Sequence, residues 1–355
     1  MAALLLALAG CFLTINHPAV GPDGSLALFL LDDGGYSLFP EGGVLHRLID
    51  GEWIPIPAAT LNGMGGVLDL SPDGTEYLYA DTDVDSDDPF APPVSRLYRV
   101  RADADAEPML LHRSEGLIAR AAWTVDGIVL LSIVDEAHGI LERVHPLTGE
   151  AVRLRDGVIS FHALEDSLIV IGAEPVGDLI IGRIGRWDPE TDETTEFISF
   201  LLNESTYESF LLLPHRFFWD VSADGRWIAL ALHEGAVLDP PVAVEIPALY
   251  LVDRVAESSQ RLAAVGLIPA FSPDGKHLAY LTSEDNETAY VMVRELDTEY
   301  AVRVPDTEGV QSLLWLGPDW LGVTYELDED RASLVAIDVQ TEERTYLLGE
   351  PPVSP

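Results

Sequence analysis

The sequence predicts an all-β fold of four-stranded sheets repeated around an axis, a β-propeller, and three observations carry that expectation. A turn tetrapeptide of the Ser-Pro-Asp-Gly kind recurs along the chain. Each copy is flanked by strand-like apolar runs, and four such runs fill each unit, the strand content of one blade. Dividing Phe12 to Glu350 into seven units gives about 48 residues each, inside the roughly 40 to 50 expected of propeller repeats. Seven blades are therefore expected, with six and eight also compatible with the spacing.

The turn copies come in order. Gly21-Pro22-Asp23-Gly24 precedes LALFL, Ser71-Pro72-Asp73-Gly74 precedes TEYLYA, and Thr124-Val125-Asp126-Gly127 precedes IVLLSI. Ser222-Ala223-Asp224-Gly225 precedes RWIALAL, Ser272-Pro273-Asp274-Gly275 precedes KHLAYL, and Gly317-Pro318-Asp319 precedes WLGVTY. Proline presets φ for the first central turn position, Asp bonds its own backbone, and Gly supplies the positive φ that returns the chain. Each copy is thus expected to join two antiparallel strands. Third strands follow at 95–101, 248–254, 290–296 and 333–339, and fourth strands at 303–304 and 344–348. The units fall near 12–57, 65–116, 118–157, 158–204, 216–266, 268–309 and 310–350; the fourth lacks a turn signal and is inferred from the gap between its neighbours.

These repeats resemble the propellers of TolB and of the prolyl oligopeptidase group, relatives in style of WD-repeat proteins. The resemblance covers nearly the whole chain beyond Cys11 and implies a fold. It implies no one function, because such propellers serve as scaffolds, gates, binding platforms and enzymes. One propeller domain over 12–350 is expected, with 351–355 as a tail and no hydrolase domain after it.

Composition supports a packed fold, with 48% hydrophobic and 23% charged residues. The charge is lopsided, with 60 Asp plus Glu against 20 Lys plus Arg, a formal net charge of -40, and Lys276 as the only lysine. That field repels nucleic acid and anionic lipid, and no basic patch offsets it. Acidity with few lysines also fits adaptation to high salt, where screening removes self-repulsion, or GC-rich coding.

Cys11 is the single cysteine, which excludes a disulfide framework or a CxxC metal site. Met1 to Gly10 form an apolar run of signal-peptide length, too short to span a bilayer. Leu8-Ala9-Gly10-Cys11 resembles the lipobox of prokaryotic lipoproteins, which implies export of the chain to the cell envelope and lipidation at Cys11. The other reading makes 12–20 a first strand and Cys11 an incidental core thiol.

Catalytic signatures are missing from the sequence: there is no GxSxG, HExxH, P-loop or strand-linked GxGxxG motif. The nine histidines are scattered with no pair at metal-ligand spacing, so no catalytic residue is assigned. Asp81, Asp83, Asp85, Asp87 and Asp88 place carboxylates at alternate positions, as Ca²⁺ loops do. Ser86 stands where such a loop wants Gly and Pro92 where it wants Glu, so the competing expectation is a solvated acidic loop.

The loops after the second strands emerge together on the face opposite the turns. They carry Asp32 and Asp33, Asp135 and Glu136, Glu284 and Asp285, and Asp328, Glu329 and Asp330, besides the Asp81–Asp88 run. A face of that charge suits a basic protein segment, a cationic ligand or divalent ions. The expected function is a monomeric, exported binding platform, with a propeller lyase or hydrolase and a structural envelope protein as alternatives. Trp123, Trp219, Trp315 and Trp320 flank turn copies and are expected to pack between blades, whereas Trp53 and Trp187 fall out of phase and are candidates for carbohydrate stacking. Asn203-Glu204-Ser205 and Asn286-Glu287-Thr288 match the N-glycosylation pattern.

Overall fold

The computed structural model describes residues 18–21, 25–31, 33–37, 41–83, 93–102, 107–135, 138–164, 167–176, 179–189, 191–202, 218–233, 247–284, 288–327 and 331–349. Among the described residues there is no helix, and every strand pair is antiparallel. The first sheet has seven strands: β1 (Ala19–Val20), β2 (Leu26–Leu30), β3 (Glu41–Ile49), β4 (Glu52–Leu70), β5 (Glu76–Asp83), β6 (Val94–Arg101) and β7 (Met109–Ser114). Five four-stranded sheets follow. The second holds β8 (Leu117–Thr124), β9 (Gly127–Asp135), β10 (His138–Val144) and β11 (Ala151–Asp156). The third holds β12 (Val158–Ala163), β13 (Leu168–Val176), β14 (Leu179–Asp188) and β15 (Glu193–Leu202). The fourth holds β16 (Trp219–Val221), β17 (Trp227–His233), β18 (Pro247–Asp253) and β19 (Ser258–Ala263). The fifth holds β20 (Gly266–Phe271), β21 (His277–Thr282), β22 (Tyr290–Glu295) and β23 (Ala301–Arg303). The last holds β24 (Val310–Trp315), β25 (Trp320–Glu326), β26 (Ala332–Asp338) and β27 (Arg344–Leu348).

This is a β-propeller arrangement, and the last five expected units each appear as one sheet. The first two, expected apart at 12–57 and 65–116, are instead one curled sheet. The 19 residues of β4 run through both, pairing with β3 along 52–64 and with β5 along 64–70. Two features keep β4 continuous where a loop was expected. The buried Asp81 carboxylate accepts the N–H groups of Asn62 (3.1 Å) and Gly63 (2.9 Å) at the changeover. Glycine at 63 and 65 lets the strands approach closely, since a Cβ would lie 2.2 Å from the Thr82 carbonyl oxygen or 2.1 Å from that of Ala80.

Burial follows position within the sheet. Second strands such as β2 and β25 are buried along nearly their whole length, which is why their sequences read as unbroken apolar runs. A strand packed by a neighbouring sheet on each face has no solvent side to make polar. Outermost strands such as β11 and β19 are more exposed and carry charged or polar residues. First strands of neighbouring sheets touch each other, β16 against β20 and β20 against β24. Their pairing to the second strand slips at Leu68, Ala119, Ile159, Ile268–Pro269 and Gln311. In these five units the bulge bends and twists the inner strand, whereas β16 pairs with β17 without a slip.

Neighbouring sheets are also tied by hydrogen bonds. The Asp69 carboxylate accepts the Trp123 N–H (2.8 Å), and Asp220 accepts the Phe271 N–H (2.8 Å). Both aspartates stand two residues before a turn serine, and both N–H groups they hold stand one residue before the next turn. Trp219 Nε1 donates to Ser160 Oγ (2.9 Å), Trp315 Nε1 to the Ala270 carbonyl (2.8 Å), and the Ile118 N–H to Ser95 Oγ (3.2 Å).

The first and last sheets meet differently. No sheet mixes strands from the two ends of the described chain. The buried Tyr36, in the β2–β3 connection, bridges to Ala332, whose N–H donates to the Tyr36 carbonyl (2.8 Å). Leu28 and Leu30 pack there against Leu314 and Leu334. Trp53 Nε1 donates to the Leu347 carbonyl (3.0 Å).

Candidate functional site

The turn face is built from the tetrapeptides. In Ser71–Gly74 the Gly74 N–H donates to the Ser71 carbonyl (2.8 Å) and Gly74 takes φ 72°. Ser71 Oγ donates to Asp73 Oδ1 (2.7 Å) and accepts the Glu76 N–H (2.9 Å). The same bonds recur at Ser222 with Asp224 (2.6 Å) and Trp227, and at Ser272 with Asp274 (2.7 Å) and His277, with Gly225 and Gly275 again at positive φ. Bonds from Ser71 and Thr75 hold the Asp73 carboxyl below its ordinary range. Burial pushes Asp224 and Asp274 up, but the serine and backbone bonds outweigh it and both end below that range. At the worn copy Thr124 pairs directly with Gly127, leaving Val125 and Asp126 as a two-residue tip. Asp23 and Gly24 lie outside the described residues.

A second repeated turn, which the sequence reading missed, joins third and fourth strands on this same face. It spans His145–Glu150, Asp188–Glu193, Asp253–Ser258, Glu295–Tyr300 and Asp338–Glu343. The fifth residue is left-handed each time, at Gly149, Asp192, Glu257, Glu299 and Glu342. The first residue caps the turn: Asp338 Oδ1 accepts the N–H groups of Gln340 (2.9 Å) and Thr341 (2.8 Å), and His145 Nδ1 accepts those of Leu147 and Thr148. The signal was present as Thr-x-Glu at 148–150, 191–193 and 341–343, where the threonine oxygen accepts the glutamate N–H. In the fourth sheet Asp253 also takes a two-bond grip from Arg226, 2.7 and 3.2 Å. That guanidinium, joined by two backbone N–H groups and opposed by burial, holds the Asp253 carboxyl at about 2.

On the opposite face the expected carboxylates are already partly engaged. Asp33 pairs with Arg331 (2.6 Å) and accepts the Gly35 N–H (2.8 Å). Asp81 and Asp83 lie within β5, which runs past the point where the sequence reading began a loop, and Asp83 pairs with Arg96 (2.5 Å). Glu284 accepts the Tyr290 hydroxyl (3.0 Å), and Asp135 closes β9. Cys11, Asp32, Asp85, Asp87, Asp88, Glu136, Asp285, Asp328, Glu329 and Asp330 lie outside the described residues. Among the described residues no three His, Cys, Asp or Glu side chains gather as a metal site.

The tryptophans serve packing. Trp219 and Trp315 are buried at sheet junctions, as expected. Trp187, a candidate for stacking on sugar, is 1% exposed with its Nε1 donating to Asp192 (3.0 Å), so its ring is closed to a ligand. Trp53 is held at the contact between first and last sheets.

No family model matches the chain, and no curated protein matches it in sequence. Solved structures do. The β-propeller domain of the trilobed protease from Pyrococcus furiosus, of open velcro topology, is 11% identical over 96% of this chain and 100% of that one, with a TM-score of 0.61. TolB from Acinetobacter baumannii is 15% identical over 73% of this chain and 60% of that one, with a TM-score of 0.50. A prolyl endopeptidase is 14% identical over 98% of this chain and 51% of that one, with a TM-score of 0.61. The chain thus spans about three fifths of the TolB chain and half of the peptidase. At identities this low the structural likeness shows the propeller fold alone.

Proposed function

We propose that this chain is an exported, lipid-anchored propeller that holds a basic protein partner on the acidic face opposite its turns. The seven-stranded sheet is then two blades sharing β4, which makes seven blades. One observation carries the reading: the loops after the second strands each bring carboxylates together, at Asp32–Asp33, Asp85–Asp88, Asp135–Glu136, Glu284–Asp285 and Asp328–Asp330, in a chain of net charge -40 with one lysine. A field of that sign speeds and orients encounter with a cationic partner. Export and anchoring rest on the lipobox-like Leu8–Cys11, and Ca²⁺ held by Asp85, Asp87 and Asp88 would adjust the same face.

The test is affinity capture from an envelope extract at working salt, with and without Ca²⁺. One specific partner is expected, lost when Asp85, Asp87 and Asp88 become Asn and kept when the turn-face Glu342 and Glu343 become Gln. Equal capture by both variants, or none by the unaltered chain, overturns the docking face. Labelling with a fatty-acid analogue, abolished by Cys11→Ser, checks the anchor separately.

A further inference from the structure

A reaction within one chain needs a free nucleophile and a free electrophile held close together. An Asp-Gly step offers both, because glycine has no side chain to shield its nitrogen from the carboxyl of the residue before it. Such steps begin at Asp23, Asp33, Asp50, Asp73, Asp126, Asp156, Asp224 and Asp274, and Asn62-Gly63 is the amide counterpart. Asp23 lies outside the described residues. The fold treats the others unequally.

Most are held at one end or at both. In the turns at 71–74, 222–225 and 272–275 the serine hydroxyl donates to the aspartate and the serine carbonyl accepts the glycine N–H. Asp33 pairs with Arg331, and the Gly34 N–H donates to the Leu31 carbonyl (2.8 Å). Gly63 donates to Asp81 (2.9 Å), Gly127 is paired with Thr124 in the strand ladder, and Asp156 accepts the Arg153 Nε–H (2.6 Å).

Asp50-Gly51 has neither hold. These two residues are the whole tip of the β3–β4 hairpin, between the paired Ile49 and Glu52, and both take positive φ, 51° and 83°. Asp50 is exposed, and neither its carboxylate nor the Gly51 N–H has a partner among the described residues. Nothing lies within 4 Å of the place a Cβ on Gly51 would take. Two residues further on, Trp53 Nε1 donates to the Leu347 carbonyl (3.0 Å) and so ties the first sheet to the last.

We propose that Asp50 is a site of spontaneous isoaspartate formation, and that this change loosens the contact between the first and last sheets. The Gly51 nitrogen attacks Asp50 Cγ, water leaves with the amide proton, and a succinimide forms. Water then adds to either ring carbonyl and breaks its bond to nitrogen, giving back aspartate or leaving isoaspartate, with no co-reactant besides water. Isoaspartate carries the main chain through the former side-chain carboxyl, which adds one carbon to a two-residue turn. The Ile49–Glu52 and Leu48–Trp53 pairings that place the Trp53 ring no longer fit that turn.

The test ages the folded full chain in ¹⁸O-water at neutral pH, where each passage through the ring adds one ¹⁸O, and reads isoaspartate by electron-transfer fragmentation. Isoaspartate is expected at Asp50 at about tenfold or more its level at Asp73, Asp224 and Asp274, where hydrogen bonds must break first. In urea the difference is expected to vanish. In the aged chain, amides of β27 should show a fast-exchanging fraction equal in size to the isoaspartate fraction at Asp50. Isoaspartate at Asp50 no higher than at the three turn aspartates, or a difference that persists in urea, overturns the site. A single exchange population in β27 overturns the loosening.

Discussion

Neighbouring sheets inside the chain are tied by a carboxylate on one inner strand that holds the backbone of the next, whereas the first and last sheets meet through one backbone bridge, Tyr36 to Ala332, and buried side chains. Asp69 and Asp220 reach from one inner strand to the backbone of the next, at the same place in the repeat. At the closing contact no such aspartate is found among the described residues; Tyr36, Trp53 and a small apolar cluster hold it. The difference teaches that adjacency in sequence favours a bond repeated at the same place in the unit, while ends that meet only through space combine single, unrepeated bonds with burial. A buried ring contributes through area and tolerates small displacements, which a hydrogen bond to one N–H does not.

Tyr36→Ala tests that contrast most severely. Removing a buried aromatic side chain costs about 3–5 kcal/mol, read as a lower urea midpoint. The new amide exchange should appear in β2, β25 and β26 before the fourth and fifth sheets open. Loss spread evenly over all sheets would mean that the closing contact is no separate weak point. Asp220→Ala comes next, at about 1–3 kcal/mol, because it leaves the Phe271 N–H without its acceptor. Its exchange should rise along β16 and β20 and leave β2 unchanged.

Acid separates the two regions further. Asp253 has its carboxyl lowered to about 2, chiefly by Arg226, so the pair contributes stability above the ordinary carboxylate range and loses it as pH falls towards 2. Burial raises the Tyr36 hydroxyl, so that contact does not titrate in acid. Exchange in the β18–β19 turn should therefore rise between about pH 4 and pH 2, and Asp253→Asn should remove that dependence while lowering stability at neutral pH. The smallest effect is expected at Asp33→Asn. Both partners of the Asp33–Arg331 pair are more than half exposed, and such pairs contribute about 0–1 kcal/mol. A shift in urea midpoint as large as that of Asp220→Ala would overturn the view that burial, not charge, holds the closing contact.

Much of the fold was legible because each residue of the tetrapeptide performs a separate local task. Ser71, Asp73 and Gly74 bond only within six residues, so the pattern is readable without knowing the rest of the chain. The fourth unit, lacking that signal, was still placed at 158–204 by its neighbours, and the third sheet spans Val158–Leu202. Asp81 was harder to place, since its bonds go to Asn62 and Gly63 in the strand alongside, and only the alternating aspartates after it showed in the sequence. The same distant bond hid the continuity of β4. Asp69 and Asp220 were visible as Asp-x-Ser before a turn, yet their purpose needed the next sheet in view. Arg226 and Asp253 are 27 residues apart, which no local pattern connects.

The unbroken course of β4 bears on how this chain can change length. An extra residue near Ala264 falls in the short connection between two complete sheets, where it alters only a bend. An extra residue near Asn62 shifts one half of β4 against the other and turns every following side chain of that strand to the opposite face. Insertions and deletions should therefore be rarer within β4 than in the short connections between the later sheets.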